Sequence, residues 1–192
     1  MAAIKRTGFG IVEPNHLSAQ RTYQIYAQLP AKVDTVTPAN TITQLENGQF
    51  VKYDYANGEV NFTGEGEWML VFNEVKIYDV PRETRKDFAL QTKNFTDGTM
   101  TPRVFKTNVG DIYTTNCLKQ AGAKDTETTM EEYAVGDHLI VDDTTNPGFL
   151  IKDTQTTPGT WDTTTGMIWK VVKLDNLFGD VSYPAVKIQR IQ

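Results

Sequence analysis

The chain has 192 residues, 39% of them hydrophobic and 22% charged, and a net charge of −5. That length supports one domain, or one domain with an arm. No run approaches the ~20 apolar residues of a membrane helix, the acidic balance argues against a general nucleic-acid surface, and a single cysteine, Cys117, excludes an internal disulfide.

The opening MAAIKRTGFG carries two charges with no apolar stretch behind them, so it does not read as a secretory signal. Folding in a reducing cytoplasm is the expectation. Residues 1–33 hold Lys5, Arg6, Arg21 and Lys32 against Glu13, a balance of +3, which leaves −8 for the rest. Residues 1–21 show no period, and Gly8, Gly10 and Pro14 interrupt any regular element. An extended N-terminal arm over 1–21 is predicted, followed by a β-rich domain over 22–192 with a possible sub-boundary near 92–100.

From Thr22 to Leu29 the chain alternates. Tyr23, Ile25, Ala27 and Leu29 share one side, which predicts a half-buried strand ended by Pro30; a helix capped at Asn15 is the alternative. Asn47-Gly48 and Asn57-Gly58 are hairpin turn signals, since both residues tolerate positive φ. In Trp68 to Val75, Trp68, Leu70 and Phe72 point one way and Met69, Val71 and Val75 the other. Both faces are apolar, so this strand is expected to be covered on both sides. Gly64 and Gly66 suggest a bulge or bend at its entry.

Pro81 to Gln91 is the candidate for one short helix, with Pro at its first position. Beyond it, RVFKT and DIYTTNC flank Asn108-Val109-Gly110 as a hairpin. YAVGDHLIVDD, GFLIKD, GMIWKVVKLDNLF and YPAVKIQRIQ read as four more strands. Three Gly-Asp pairs, at 110–111, 136–137 and 179–180, read as turns that start strands. Thr-rich runs at 34–43, 125–129 and 153–166 mark long polar loops, because Thr mixed with Pro, Gly and Asp does not continue a ladder. Strands with turn residues every ten or so positions predict an all-β fold, a barrel or sandwich.

Chemistry is sparse. Glu65 and Glu67 stand at a spacing that would suit a carboxylate pair, but on one strand they project in parallel rather than across a bond. They read as solvated charges at a strand end. His138 and Cys117 are a weak nucleophile pair. Asp137, Asp142, Asp143, Asp153 and Asn146 offer oxygens to a hard cation without the spacing of a calcium loop. One Cys and two distant His do not supply a zinc site. No cofactor and no catalytic set are expected. The aromatics of KYDYANGEVNF are expected to pair across strands.

The runs RTGFGIVEPNHLSAQRTYQIYAQLP, LENGQFVKYDYANGEVNFTGEGEWMLVFNEVKIYD and TPRVFKTNVGDIYTTN resemble small structural proteins of tailed bacteriophages, over roughly the first 116 residues. The resemblance implies a virion component on the capsid surface, most like a capsid decoration (cement) protein made in the host cytoplasm. Its partners would be the major capsid protein and neighbouring copies of itself, as a homo-oligomer on the particle, with no nucleic acid and no membrane. On that reading the arm and first strand would lie against the shell, through Ile4, Arg6, Phe9, Ile11, Arg21, Tyr23 and Ile25. A tail-tube, connector or fibre-base protein is the nearest alternative. A glycan- or receptor-binding β module presenting Trp68, Tyr53, Tyr55 or Trp161 is another, and a β-fold glycosidase or peptidase the third.

Overall fold

A computed structural model describes residues 2–4, 8–18, 28–33, 36, 41–73, 89–92, 97–119, 132–153 and 166–192. Fourteen strands lie among them: β1 (Ala2–Ala3), β2 (Val12–His16), β3 (Gln44–Glu46), β4 (Phe50–Asp54), β5 (Glu59–Asn61), β6 (Met69–Val71), β7 (Ala89–Gln91), β8 (Val104–Phe105), β9 (Ile112–Thr115), β10 (Glu132–Tyr133), β11 (His138–Val141), β12 (Leu150–Lys152), β13 (Trp169–Asn176) and β14 (Pro184–Arg190). A six-stranded sheet runs β12-β11-β13-β14-β9-β2 and a four-stranded sheet β5-β4-β6-β8; β3-β7 and β1-β10 form two-stranded ribbons. All of these ladders are antiparallel. The fold is all-β, as composition and turn spacing predict.

The apolar alternation of β6 explains how the sheets share a core. Trp68 and Leu70 join a cluster with Phe50, Tyr113, Leu139 and Trp169. Met69 and Val71 join a second cluster with Leu45, Val51, Met100 and Val104. One strand thus serves two cores, one per face, and all three of its residues are buried. Trp169 and Tyr113 meet edge-on with ring centroids 5.0 Å apart, and Phe50 lies 6.0 Å from Trp169. Each such buried aromatic is worth several kcal/mol of transfer free energy, with about 0.5–1.5 kcal/mol more per ring pair.

Glycines allow the close approaches. A Cβ on Gly64 would lie 1.9 Å from the Tyr53 carbonyl oxygen, so the Gly64–Gly66 stretch runs directly against β4. Gly66 N–H donates to that same carbonyl at 3.4 Å.

The N-terminal segment is extended, but it is built into the body. β1 pairs with β10, and β2 pairs with β9 as an edge strand of the six-stranded sheet. Ile4 and Ile11 are each only 4% exposed. Gly10 N–H donates to the buried Glu46 carboxylate at 2.6 Å. Ile11 N–H donates to Asn116 Oδ1 at 2.8 Å and its carbonyl accepts from Thr115 Oγ1 at 2.7 Å. Ser18 N–H and Oγ both reach Asp111 Oδ1. Widely spaced apolar residues between Gly and Pro carry no period, yet Ile4, Val12 and Leu17 fall into the main core. Met100, near the suggested sub-boundary at 92–100, is buried in the second core and accepts a bond from Ala31 N–H at 2.9 Å.

Other local expectations differ. Of the helix expected over 81–91, residues 81–88 lie outside the described residues and Ala89–Gln91 form β7, paired with β3. Of the strand expected over 22–29, residues 22–27 lie outside the described residues, and Gln28 and Leu29 belong to no strand. Asn47-Gly48 does not close a hairpin: β3 pairs with β7 and β4 with β5 and β6, so the turn is a corner between sheets. Likewise β8 joins β6 while β9 joins β14 and β2, so the Asn108–Asp111 turn also changes sheet. Asn57-Gly58 does close the β4–β5 hairpin, through a four-residue loop in which Asp54 Oδ1 accepts from Asn57 N–H.

Candidate interaction surface

The residues proposed from sequence for partner contact separate into three groups. Ile4 and Ile11 face this chain's own core, so their side chains are not offered to a partner. Phe9 is half-buried and has contacts of its own. Arg6, Arg21, Tyr23 and Ile25 lie outside the described residues.

What the N-terminal segment does present is a sheet edge. Ile11 turns its N–H and C=O toward the Asn116 and Thr115 side chains, next to β9. Alternation along an antiparallel strand then points the backbone groups of Val12 and Pro14 away from β9. Among the described residues no strand pairs with that rim. Pro14 offers only an acceptor there, and the register shifts between Pro14 and His16. Both features limit uncontrolled strand addition.

Beside this edge stands the tip of the β13–β14 hairpin. Leu177 is buried with Ile11 and Ala185, which fixes the root of the tip. Phe178 N–H donates to Glu13 Oε2 on β2 at 2.9 Å, joining tip and edge into one surface. The tip is rigidly bonded: Asp180 N–H to Leu177 O at 3.0 Å, Tyr183 N–H to Asp180 O at 3.0 Å, Leu177 N–H to Tyr183 O at 2.9 Å and Ser182 N–H to Asp180 Oδ1 at 2.8 Å. On it Phe178, Val181 and Tyr183 are 44%, 81% and 38% exposed. Three large apolar side chains within six residues make the densest exposed apolar stretch among the described residues. At its root Asp175 binds Lys173 at 3.0 Å and Lys187 at 3.4 Å. Burial pushes the Asp175 carboxyl up, but the hydrogen bonds from Lys173, Asn176 N–H and Lys187 outweigh it and hold the carboxyl below its ordinary value.

The residues weighed for chemistry are buried or engaged by other groups of the chain. Glu67 pairs with Lys106 at 3.0 Å and lies 4.0 Å from Arg190. Trp68 is buried, with the Lys52 ammonium 4.6 Å from its ring centroid, so its face is not open to a sugar. Tyr53 on β4 and Tyr55 in the loop that follows stack on each other, 5.0 Å apart and 4° from parallel, rather than across strands. Trp161 lies outside the described residues. Cys117 is fully buried against Gly10 and Gly48. Burial and Lys170 push the His138 imidazole below its ordinary value, more than Asp153 and Asp137 raise it.

Asp142 accepts from Thr144 N–H and Oγ1, Thr145 N–H and Asn146 N–H, between 2.8 and 3.2 Å. Burial pushes its carboxyl up, yet these donors bring it below the ordinary value. Both oxygens are thus engaged by the chain's own loop, and Asp137 is ion-paired to Lys152 at 2.8 Å. Among the described residues no three His, Cys, Asp or Glu side chains converge as a metal site, and no helix is long and apolar enough to cross a membrane.

A cleft of about 360 Å³ with mixed polar and apolar walls lies between β5 and the Asp142 loop, lined by Lys32, Ile42, Asn61, Phe62, Asp143 and Pro147 among others. Neither it nor the hairpin tip was singled out from sequence. The Leu-Phe-Gly-Asp order carried a signal for the tip, since it sets an aromatic residue in a turn. No family model matches the chain, and no curated protein or solved structure matches it.

Proposed function

We propose that this chain is a structural component of a tailed-phage virion, a capsid decoration protein that contacts the major capsid protein and neighbouring copies of itself. The observation that carries the reading is the apolar hairpin tip set beside the β2 edge. Together they offer backbone groups for strand addition and apolar side chains for burial, which is the chemistry of subunit contact. The resemblance of residues 6–116 to phage structural proteins supplies the class. This surface, rather than Ile4 and Ile11, is the proposed contact, because those two side chains are buried in this chain's own core. Many weak contacts repeated over a shell give strong attachment by multivalency.

The test is co-sedimentation of purified protein with shells assembled from the major capsid protein of the same genome. Saturable retention at fixed stoichiometry is expected. Closed rings of the free protein, with no retention on shells, would place it in the tail tube or connector instead. The cleft beside Asp143 favours a second reading, a glycan-binding module: its aromatic wall, carboxylate and hydroxyls suit a polyol. Glycan-array binding abolished by Asp143→Ala would select that reading.

A further inference from the structure

One turn is built three times in this chain. At Asn108–Asp111, Ala134–Asp137 and Leu177–Asp180 the third residue is a Gly with φ of +97°, +99° and +71°, and the Asp N–H donates to the carbonyl three residues back, at 3.0, 3.1 and 3.0 Å. In each turn the second residue is apolar and exposed: Val109, Val135 and Phe178. The third turn differs in its backbone. Phe178 sits at φ +55° and ψ +18°, and it is the only non-glycine residue with positive φ among the described residues. Two consecutive left-handed residues make a type I′-like turn, where Asn or Gly is the favoured first residue. A bulky aromatic there is strained. The other two turns, which lead from one sheet to another, carry a negative φ at Val109 and Val135, whereas the third closes the β13–β14 hairpin.

Strain kept at a residue that is 44% exposed points from geometry to use. We propose that Phe178, with Val181 and Tyr183, is a docking anchor that enters an apolar pocket with a cationic rim on a neighbouring protein subunit. The inference rests on the assembly reading and names the partner's chemistry. The charge follows from the surroundings of the tip. The Glu13 and Asp180 carboxylates flank it and, among the described residues, accept only backbone N–H groups, from Phe178 and Ser182. The cations at its root, Lys173 and Lys187, share the single carboxylate of Asp175, so these three groups with Glu13 and Asp180 sum to −1. An apolar knob edged by the Glu13 and Asp180 carboxylates complements Lys or Arg around a protein pocket. Its internal hydrogen bonds hold it in place before binding, which limits the ordering entropy lost on docking.

The test pairs stability with retention on shells of the cognate major capsid protein, using the full chain. Phe178→Asn keeps the N–H bond to Glu13 and relieves the strain. Its melting temperature should rise by about 2–4 °C, while retention falls at least about tenfold. Val181→Ser should leave melting unchanged and weaken retention several-fold. A lower melting temperature for Phe178→Asn would mean the residue serves the fold and would overturn the proposal. So would wild-type retention by both variants, which would leave the assembly reading standing. Failure of the wild-type protein to bind shells would remove that reading and the anchor together. Binding of the wild-type protein to phosphatidylcholine–phosphatidylglycerol vesicles, or a self-oligomer in sedimentation velocity that Phe178→Asn dissolves, would replace the named occupant by membrane or by a second copy.

Discussion

Gly10→Ala tests whether the N-terminal segment belongs to the folded body. A Cβ at position 10 would lie 2.5 Å from the Asn47 carbonyl oxygen, 2.7 Å from Cys117 Sγ and 2.9 Å from Cys117 Cβ. None of these can yield cheaply. Cys117 is fully buried, the Asn47 side chain accepts from Asn73 N–H at 2.7 Å, and the next residue, Gly48, donates its N–H to Val71 O at 2.9 Å. The segment must therefore shift, which weakens the 2.6 Å bond from Gly10 N–H to Glu46. Overpacking costs about 1–3 kcal/mol and a weakened bond to a buried carboxylate about 1.5–3 kcal/mol. The summed ranges centre on a loss of about 4 kcal/mol, equal to roughly 8–16 °C in melting temperature for a chain of this size. Urea unfolding followed by tryptophan fluorescence should show a lower midpoint with an unchanged slope. Gly98→Ala is the control: nothing lies within 4 Å of its Cβ, but its φ of +71° adds about 1–2 kcal/mol of strain. Gly10→Ala should be the more damaging of the two. A loss under about 0.5 kcal/mol at position 10, the range of an ordinary surface change, would show a detached arm and refute the packing argument.

Two further outcomes follow from buried polar groups. Asp142→Asn should destabilise by about 1–3 kcal/mol at neutral pH, since an amide cannot replace a carboxylate on all four donors. Because the folded-state value of Asp142 is depressed, its contribution is present above the ordinary carboxyl value of 3.8 and is lost as pH falls through the lower folded value. The variant should lose that part of the acid slope in pH-dependent denaturation. Arg190 donates to the Thr107 carbonyl, to Thr107 Oγ1 at 3.0 Å and to Gln192 O at 2.8 Å, tying the C-terminal strand to the β8–β9 connection. Arg190→Met should cost about 2–4 kcal/mol in urea unfolding, and Arg190→Lys should recover little, because an ammonium cannot reproduce the fork.

Legibility in the sequence tracked local physics. The two apolar faces of Trp68 to Phe72 announced a strand covered on both sides, and they divide between two cores as their alternation requires. The Gly-Asp pairs announced turns because only local chemistry is needed there, and all three form. Partner choice was less readable. Asn47-Gly48 and Asn108–Asp111 have the residues of hairpin turns, but whether the flanking strands pair with each other is decided by distant strands such as β7, β6 and β14. The N-terminal segment read as an arm because Gly8, Gly10 and Pro14 erase periodicity, while its anchors are side-chain bonds to Glu46, Asn116 and Asp111, up to 105 positions away. The hairpin tip was hidden for a different reason. A composition count treats Phe178 as core material, and only the backbone conformation sets it outside.

Assembly through the hairpin tip is tested most directly by placing a photo-reactive residue at Val181 in protein bound to intact particles. Irradiation should give a covalent adduct with the major capsid protein, at the stoichiometry of retention. Illumination that yields only monomer from particles still carrying the chain, or particles that never retain the chain, would contradict it.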